Sequence, residues 1–278
     1  MNKWSIVIIC WILATAVHAH IPDSIQYQRY VTRATTYGVG FTNVYDTYLS
    51  PVEYKGTEIR IMRESIRLTK LADGNISTQA LFQAHLGYTK NQTETGECFS
   101  GLVNWNYALH YQFRIGENLK LLAGGAGELN GGFIYNVRNS NNPASAKAYI
   151  NIAASGMAIY HFRIRKYPMT LRYQINMPFL GVMFSPDHHQ SYYEIFSLGH
   201  TNKVVRFTSF HNQPSLRQMV SLDFPARYLK MRVSYVCDLQ QSQLNGLRTH
   251  TYSHAFLLGF VKSFYLIRDK CPQPMPAY

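Results

Sequence analysis

Ser209 and His211 stand two residues apart, a spacing that puts both side chains on one face of an extended strand. A hydroxyl within reach of an imidazole is the start of an activated nucleophile, and Asn212 supplies a third polar group that could orient the ring. These are the candidate catalytic residues of the chain, and the reaction they suggest is ester hydrolysis or acyl transfer. Ser253 and His254 are adjacent and so fall on opposite faces of a strand. Asp187, His188 and His189 have the right types for a metal, but neighbouring histidines on a loop lack the spacing that ligands need. The glycines at 124, 125, 127, 131 and 132 are followed by no helix signal, so they bend or closely pack a strand rather than cradle a phosphate. No metal and no cofactor is expected.

The elements that must carry these groups are strands. From Cys98 to Ile115 every odd residue is apolar, aromatic or glycine: Phe99, Gly101, Val103, Trp105, Tyr107, Leu109, Tyr111, Phe113, Ile115. The even residues are mostly small or polar, among them Asn104, Asn106, His110 and Arg114. A period of two describes one long two-faced strand. The same alternation recurs in Ile76–Tyr88, Ala146–Ile164, Met169–Phe179, Ser215–Tyr228 and Leu229–Leu239. A phase change between Ile59/Ile61 and Ile66/Leu68 predicts a bulge near Met62–Glu64.

Bulk properties decide which way such a sheet faces. Residues 1–19 read as a secretory signal peptide: Lys3, an apolar run from Trp4 to about Val17, and Val17-His18-Ala19 as the cleavage signal. That run is too short to span a bilayer as a helix, and no other long apolar run follows. Charged residues make up only 15% of the chain and aromatics 14%, with 21 tyrosines. A soluble domain has about a quarter of its residues charged. Low charge with abundant Tyr suits a wall facing lipid with aromatic belts at its edges. Loss of Lys3 lowers the net charge of +12 to +11. With no basic cluster and no stacking platform, nucleic acid is excluded as a partner. Cleavage leaves Cys98, Cys237 and Cys271, an odd set that makes no disulfide framework and leaves any pairing among them open.

Twelve strands are predicted, including weaker segments at Thr36–Tyr48, Leu119–Tyr135, Tyr192–His200 and Val204–His211. Short connections (Ala72–Gly74, Gly116–Asn118, Lys166–Pro168, Thr201–Lys203) alternate with longer ones such as Lys90–Glu97, Asn136–Pro143, Ser185–Ser191 and Gln240–Arg248. Outer-membrane barrels sort their turns this way, with the short ones in the periplasm. The fold class expected is therefore all-β, a single antiparallel transmembrane β-barrel after a signal peptide. Residues 20–35 form a periplasmic N-terminal segment, 36–268 the barrel and 269–278 a proline-rich tail.

The segments Thr47–Gly56 (TYLSPVEYKG), Ser191–His200 (SYYEIFSLGH), Phe207–Arg217 (FTSFHNQPSLR) and His250–His254 (HTYSH) resemble an uncharacterised family of Bacteroidota outer-membrane-type β-barrels, a domain of unknown function. The resemblance runs over nearly all of residues 20–278 and implies the barrel and the envelope location, with no activity or site residues. A twelve-stranded outer-membrane phospholipase with a Ser/His/Asn site is a related design, but its signature sets His before Ser, the reverse of Ser209–His211.

The lumen face then carries Arg114, Lys120, Lys147, Arg163, Arg165, Arg172, Arg217, Lys230 and Arg232 against Glu58, Glu64, Glu128, Asp223 and Asp238. This cation excess would favour an anionic or lipidic ligand in an open lumen, or the charges would pair into a ladder that fills it. The function expected is non-enzymatic: a narrow pore, a small-molecule or lipid conduit, or a structural envelope protein. Outer-membrane lipids, lipopolysaccharide and the barrel-insertion machinery are the expected partners, and the bacterial outer membrane the location. The alternatives are a lipid-active hydrolase or acyltransferase using Ser209 and His211, and a soluble secreted β-sandwich or lipocalin-like binder.

Overall fold

A computed structural model describes residues 29–69, 71–139, 142–187, 190–226 and 229–266. The expected signal peptide, the expected tail with Cys271, and His188–His189 lie outside the described residues. The strands are β1 (Arg29–Asp46), β2 (Tyr54–Leu68), β3 (Ile76–Asn91), β4 (Glu97–Ile115), β5 (Leu119–Asn136), β6 (Ala144–Ile164), β7 (Tyr167–Phe184), β8 (Val205–Ser209), β9 (Leu216–Ala226), β10 (Leu229–Leu244) and β11 (Leu247–Leu266), with one short helix α1 (Tyr192–Phe196).

All pairings are antiparallel, and the sheet closes on itself. β11 returns to β1 over the full length of β1, from Arg29↔Leu266 to Asp46↔Thr249. Closure joins the two ends of the sheet, as hydrocarbon demands of a spanning wall. β8 and β9 both pair with β7, β8 along Leu180–Phe184 and β9 along Thr170–Asn176. They form one stave in two pieces, so the eleven strands make ten staves. The break faces Pro178, which has no N–H to donate to a ladder. The ends of strands joined after β2, β4, β6 and β9 make a short-turn rim, and those joined after β1, β3, β5 and β7 lie at the opposite rim.

Several expectations are corrected. Eleven strands stand against the twelve expected, because Tyr192–His200 holds no strand, and they make ten staves because β8 and β9 share one. Ser191 and Glu194 form a capping box, with the Ser191 Oγ accepting from the Glu194 N–H and the Glu194 carboxylate accepting from the Ser191 N–H at 2.7 Å, and this starts α1. Thr201–Lys203 therefore sits at the long-loop rim. The loop expected at Gln240–Arg248 contracts to a tight hairpin at Asn245–Gly246, both left-handed at φ 50° and 76°. The wall begins at Arg29 rather than Thr36, so residues 29–35 are strand and not periplasmic segment. β2 has no bulge at Met62–Glu64, since its register with β3 runs unbroken from Tyr54↔Asn91 to Leu68↔Ser77. Ile66 and Leu68 instead turn inward, half-buried at the mouth. The register shift falls opposite Ile152 and Ala153, where Phe179 is the extra residue.

The two faces are distributed inside-out. Val39, Phe41 and Phe256 are 67%, 72% and 66% exposed, while Gln79, Gln83 and Asn106 are at most 1% exposed. Apolar side chains outside and polar ones inside are the signature of an outer-membrane-type barrel. Tyr37, Val39 and Phe41 lie midway along β1, so Val39→Arg puts a cation at the centre of the apolar belt. It is expected to cost about 2–4 kcal/mol in reversible unfolding from lipid vesicles; a wall bathed in water would leave the stability unchanged.

Candidate functional site

Ten staves enclose an interior that long side chains can cross. Near the short-turn rim, Glu64 on β2 joins two cations: its Oε2 accepts from Arg172 Nη2 of β7 at 2.6 Å and from Arg232 Nη1 of β10 at 2.5 Å. Arg232 then forks onto Asp223 of β9, Nε to Oδ1 at 2.6 Å and Nη2 to Oδ2 at 2.9 Å. Gln79 on β3 donates to Glu64 Oε1 at 2.5 Å and to Gln174 of β7 at 2.9 Å. The set bridges opposite walls of the barrel.

A second layer lies above it. Arg60 on β2 donates from Nε to Glu58 at 2.9 Å, from Nη2 to Ser253 at 2.6 Å and from Nη1 to Asp238 of β10 at 3.4 Å. Asp238 also accepts from Arg217 Nε of β9 at 3.2 Å, and Arg217 Nη1 reaches Asn104 of β4 at 3.1 Å and Glu128 of β5 at 3.3 Å. At the upper mouth Lys147 of β6 meets Asp46 of β1 at 2.7 Å, and the Tyr149 hydroxyl donates to Gln240. Between the layers and the mouth lie two small cavities of about 10 and 30 Å³, room for single waters.

Among the expected lumen residues, Lys147, Arg172, Arg217, Arg232, Asp223 and Asp238 are buried in this interior. Arg114, Arg163 and Lys230 are not: each is exposed, on the inward parity but at the short-turn rim where the lumen opens. The expected cation excess disappears with them. Among the described residues, buried Arg60, Lys147, Arg172, Arg217 and Arg232 face six buried carboxylates: Asp46, Glu58, Glu64, Glu128, Asp223 and Asp238. Arg60 was missed, although it shares its parity with Glu58 and stands before the expected bulge at Met62–Glu64.

Ser209 and His211 come together on the outer side of the wall at the long-loop rim. Ser209 Oγ and His211 Nδ1 are 2.5 Å apart, and His211 is exposed. Asn212 does not orient the ring. Its Oδ1 accepts from the Ser209 N–H at 2.8 Å and its Nδ2 donates to the Phe207 carbonyl at 3.2 Å, closing the turn. Cys98 is buried inward and Cys237 faces outward, so the wall itself separates their thiols. In the loops above, burial and the neighbouring Tyr192, Asp46 and Glu194 push the Tyr48 hydroxyl up to about 12, and it donates to the Gln190 carbonyl at 3.0 Å. The Ser191 backbone and hydroxyl hold the half-buried Glu194 carboxyl below its usual range.

Residues 5–271 match the family described as protein of unknown function (DUF3316). The chain belongs to the DUF3316 family. None of the curated proteins compared with it matches. Solved structures similar to this DUF3316 barrel include the outer membrane protease OmpT of Escherichia coli, at 9% identity and TM-score 0.48 over 90% of this chain and 99% of that one. The transport unit of the Escherichia coli autotransporter AIDA-I is similar at 6% identity and TM-score 0.40, over 91% and 96%. An outer membrane channel from Pseudomonas putida F1 is similar at 11% identity and TM-score 0.36, over 88% and 100%.

Arg60 holds two carboxylates at once, so Arg60→Met strands charge in the interior and is expected to cost about 3–5 kcal/mol in denaturant unfolding. Adding Glu58→Gln should recover part of that loss. A single variant as stable as the parent would mean the layer contributes nothing.

Proposed function

We propose that this protein is a bacterial outer-membrane β-barrel of non-enzymatic role, a structural envelope element rather than an open pore. The observation that carries the reading is the Glu64–Arg172–Arg232–Asp223 layer, which spans the lumen with ion pairs of 2.5 to 2.6 Å. A second layer through Arg60, Asp238 and Arg217 lies above it. Charged groups paired on this scale leave no continuous aqueous path for a permeant ion, and removing any one strands its partner. On this reading the chain is exported by a signal peptide cleaved near Ala19 and inserted by the barrel-insertion machinery. Outer-membrane lipids and lipopolysaccharide surround its wall.

The short Ser209–His211 contact supports a second reading, a lipid-active hydrolase or acyltransferase at the long-loop rim. His211 is the base and Ser209 the nucleophile in such a site, although no carboxylate or amide among the described residues is hydrogen-bonded to the ring.

Purified protein in planar bilayers is expected to show no steady unitary conductance, and a stable ohmic channel from the parent protein would overturn the closed-lumen reading. For the second reading, phospholipid turnover is compared in the parent and Ser209→Ala. Turnover that the substitution abolishes would establish the enzyme; its absence from both proteins removes it.

A further inference from the structure

Two grooves on the outer wall run into one another across β1 to β4. The upper one, of about 850 Å³, lies at the long-loop rim, and Glu53, Lys55, Lys90, Asn91 and Glu94 are among its lining. The lower one, of about 560 Å³, is lined by apolar side chains, among them Val39, Phe41, Ile59, Leu86 and Phe99. Thr57 and Tyr88 line both. The strand register explains the furrow. Thr57 of β2 stands opposite Phe41 of β1 on one side and Tyr88 of β3 on the other. All three are exposed on the outer face, so a short side chain sits between two rings and leaves a trough.

The two parts differ in chemistry along the wall. At the upper end Lys55 and Lys90 stand opposite each other. Glu53 lies 3.4 Å from the Lys55 ammonium and Glu97 4.0 Å from that of Lys90. Glu94 adds a carboxylate from the connection after β3. Four residues further along β2, Ile59 stands between Val39 and Leu86. At about 3.4 Å per residue and a tilt of about 40°, that level is roughly 10 Å deeper in the wall. Tyr88 marks the boundary. Its hydroxyl donates to Glu97 at 2.7 Å, and its ring packs on Phe99 at a centroid distance of 5.2 Å.

A groove that is polar above and apolar below fits one amphiphile lying along the wall, and the polar lining says which kind. Two carboxylates and two ammoniums line it, so it accepts hydrogen bonds as readily as it donates them. A phosphate offers acceptors alone and, being an anion, would meet Glu53 and Glu94 as like charges. Sugar hydroxyls donate and accept, and 850 Å³ is within the size range of small-molecule sites. The geometry points to a binding site for a glycolipid of the leaflet that meets the long-loop rim. Its sugar headgroup lies among Glu53, Lys55, Lys90 and Glu94, and an acyl chain runs along Val39, Ile59 and Leu86. The site rests on the membrane-barrel reading.

Native mass spectrometry of the folded full-length protein in sugar-free micelles tests this, with added diglucosyl diacylglycerol, phosphatidylglycerol or phosphatidylethanolamine of the same acyl chains. The glycolipid should be retained in preference to both phospholipids. Millimolar maltose should not displace it, because the free sugar lacks the chain. Thr57→Trp fills the trough and should weaken glycolipid binding at least tenfold, whereas Ala154→Trp, on the outer face of β6, should leave it unchanged. Glu53→Gln with Glu94→Gln should weaken it about tenfold, since charged acceptors make the stronger hydrogen bonds; a phosphate site would bind more tightly after the same change. Failure to retain the glycolipid above both phospholipids, equal losses in the two tryptophan variants, or tighter binding without the carboxylates overturns the proposal. Displacement by maltose does so too, because the site would then be one for soluble sugars. Heat-modifiable gel mobility shows separately that each variant is a closed barrel. If the parent protein lacked that mobility, the membrane reading would fail, not the glycolipid site alone.

Discussion

Hydrocarbon offers no hydrogen bonds, and this molecule is arranged around that constraint. Every backbone N–H and C=O at membrane depth needs a partner within the protein, which only a helix or a closed sheet supplies. Here the sheet closes through the β1–β11 seam. The single stave that is broken, β8 with β9, is broken opposite Pro178, where one donor was already missing. The same constraint sends Val39, Phe41 and Trp105 outward and leaves polar and charged residues only the interior and the rims.

An interior filled with charge is costly to desolvate unless each ion is paired at close range. The geometry meets that requirement with shared partners. Glu64 takes two arginines, Asp238 takes two, and Arg217 reaches both Asp238 and Glu128. Each of the six buried carboxylates has at least one cation within 3.4 Å. These contacts join strands far apart around the ring, β2 to β7 and β10, and β5 to β9. They tie together walls that the backbone ladder connects only through neighbours.

The rims obey different rules because water and headgroups are present there. Arg114, Arg163 and Lys230 end exposed at the short-turn mouth, and the Arg33–Lys262 pairing places like charges side by side on the outer wall. At the opposite rim, the capping box of α1 and the contact of Tyr48 with Gln190 order the longest connection. With five buried cations against six buried carboxylates among the described residues, the chain's excess positive charge lies outside the interior.

Much of this was legible in the residues. The two-residue period from Cys98 to Ile115, the low charge and the abundant tyrosine specify strands, a closed wall and the face that meets lipid, because those properties follow from local backbone geometry and transfer energies. The S-x-x-E at Ser191–Glu194 was also readable, as the start of a helix rather than a strand. Strand number, the pairing of β8 and β9 as one stave, and the partners of Arg60, Arg172 and Arg217 were not. Parity along a strand says which side chains enter the lumen, but not their height or what faces them across it. Those depend on how many staves close the ring and in which register, and only the tertiary structure decides that.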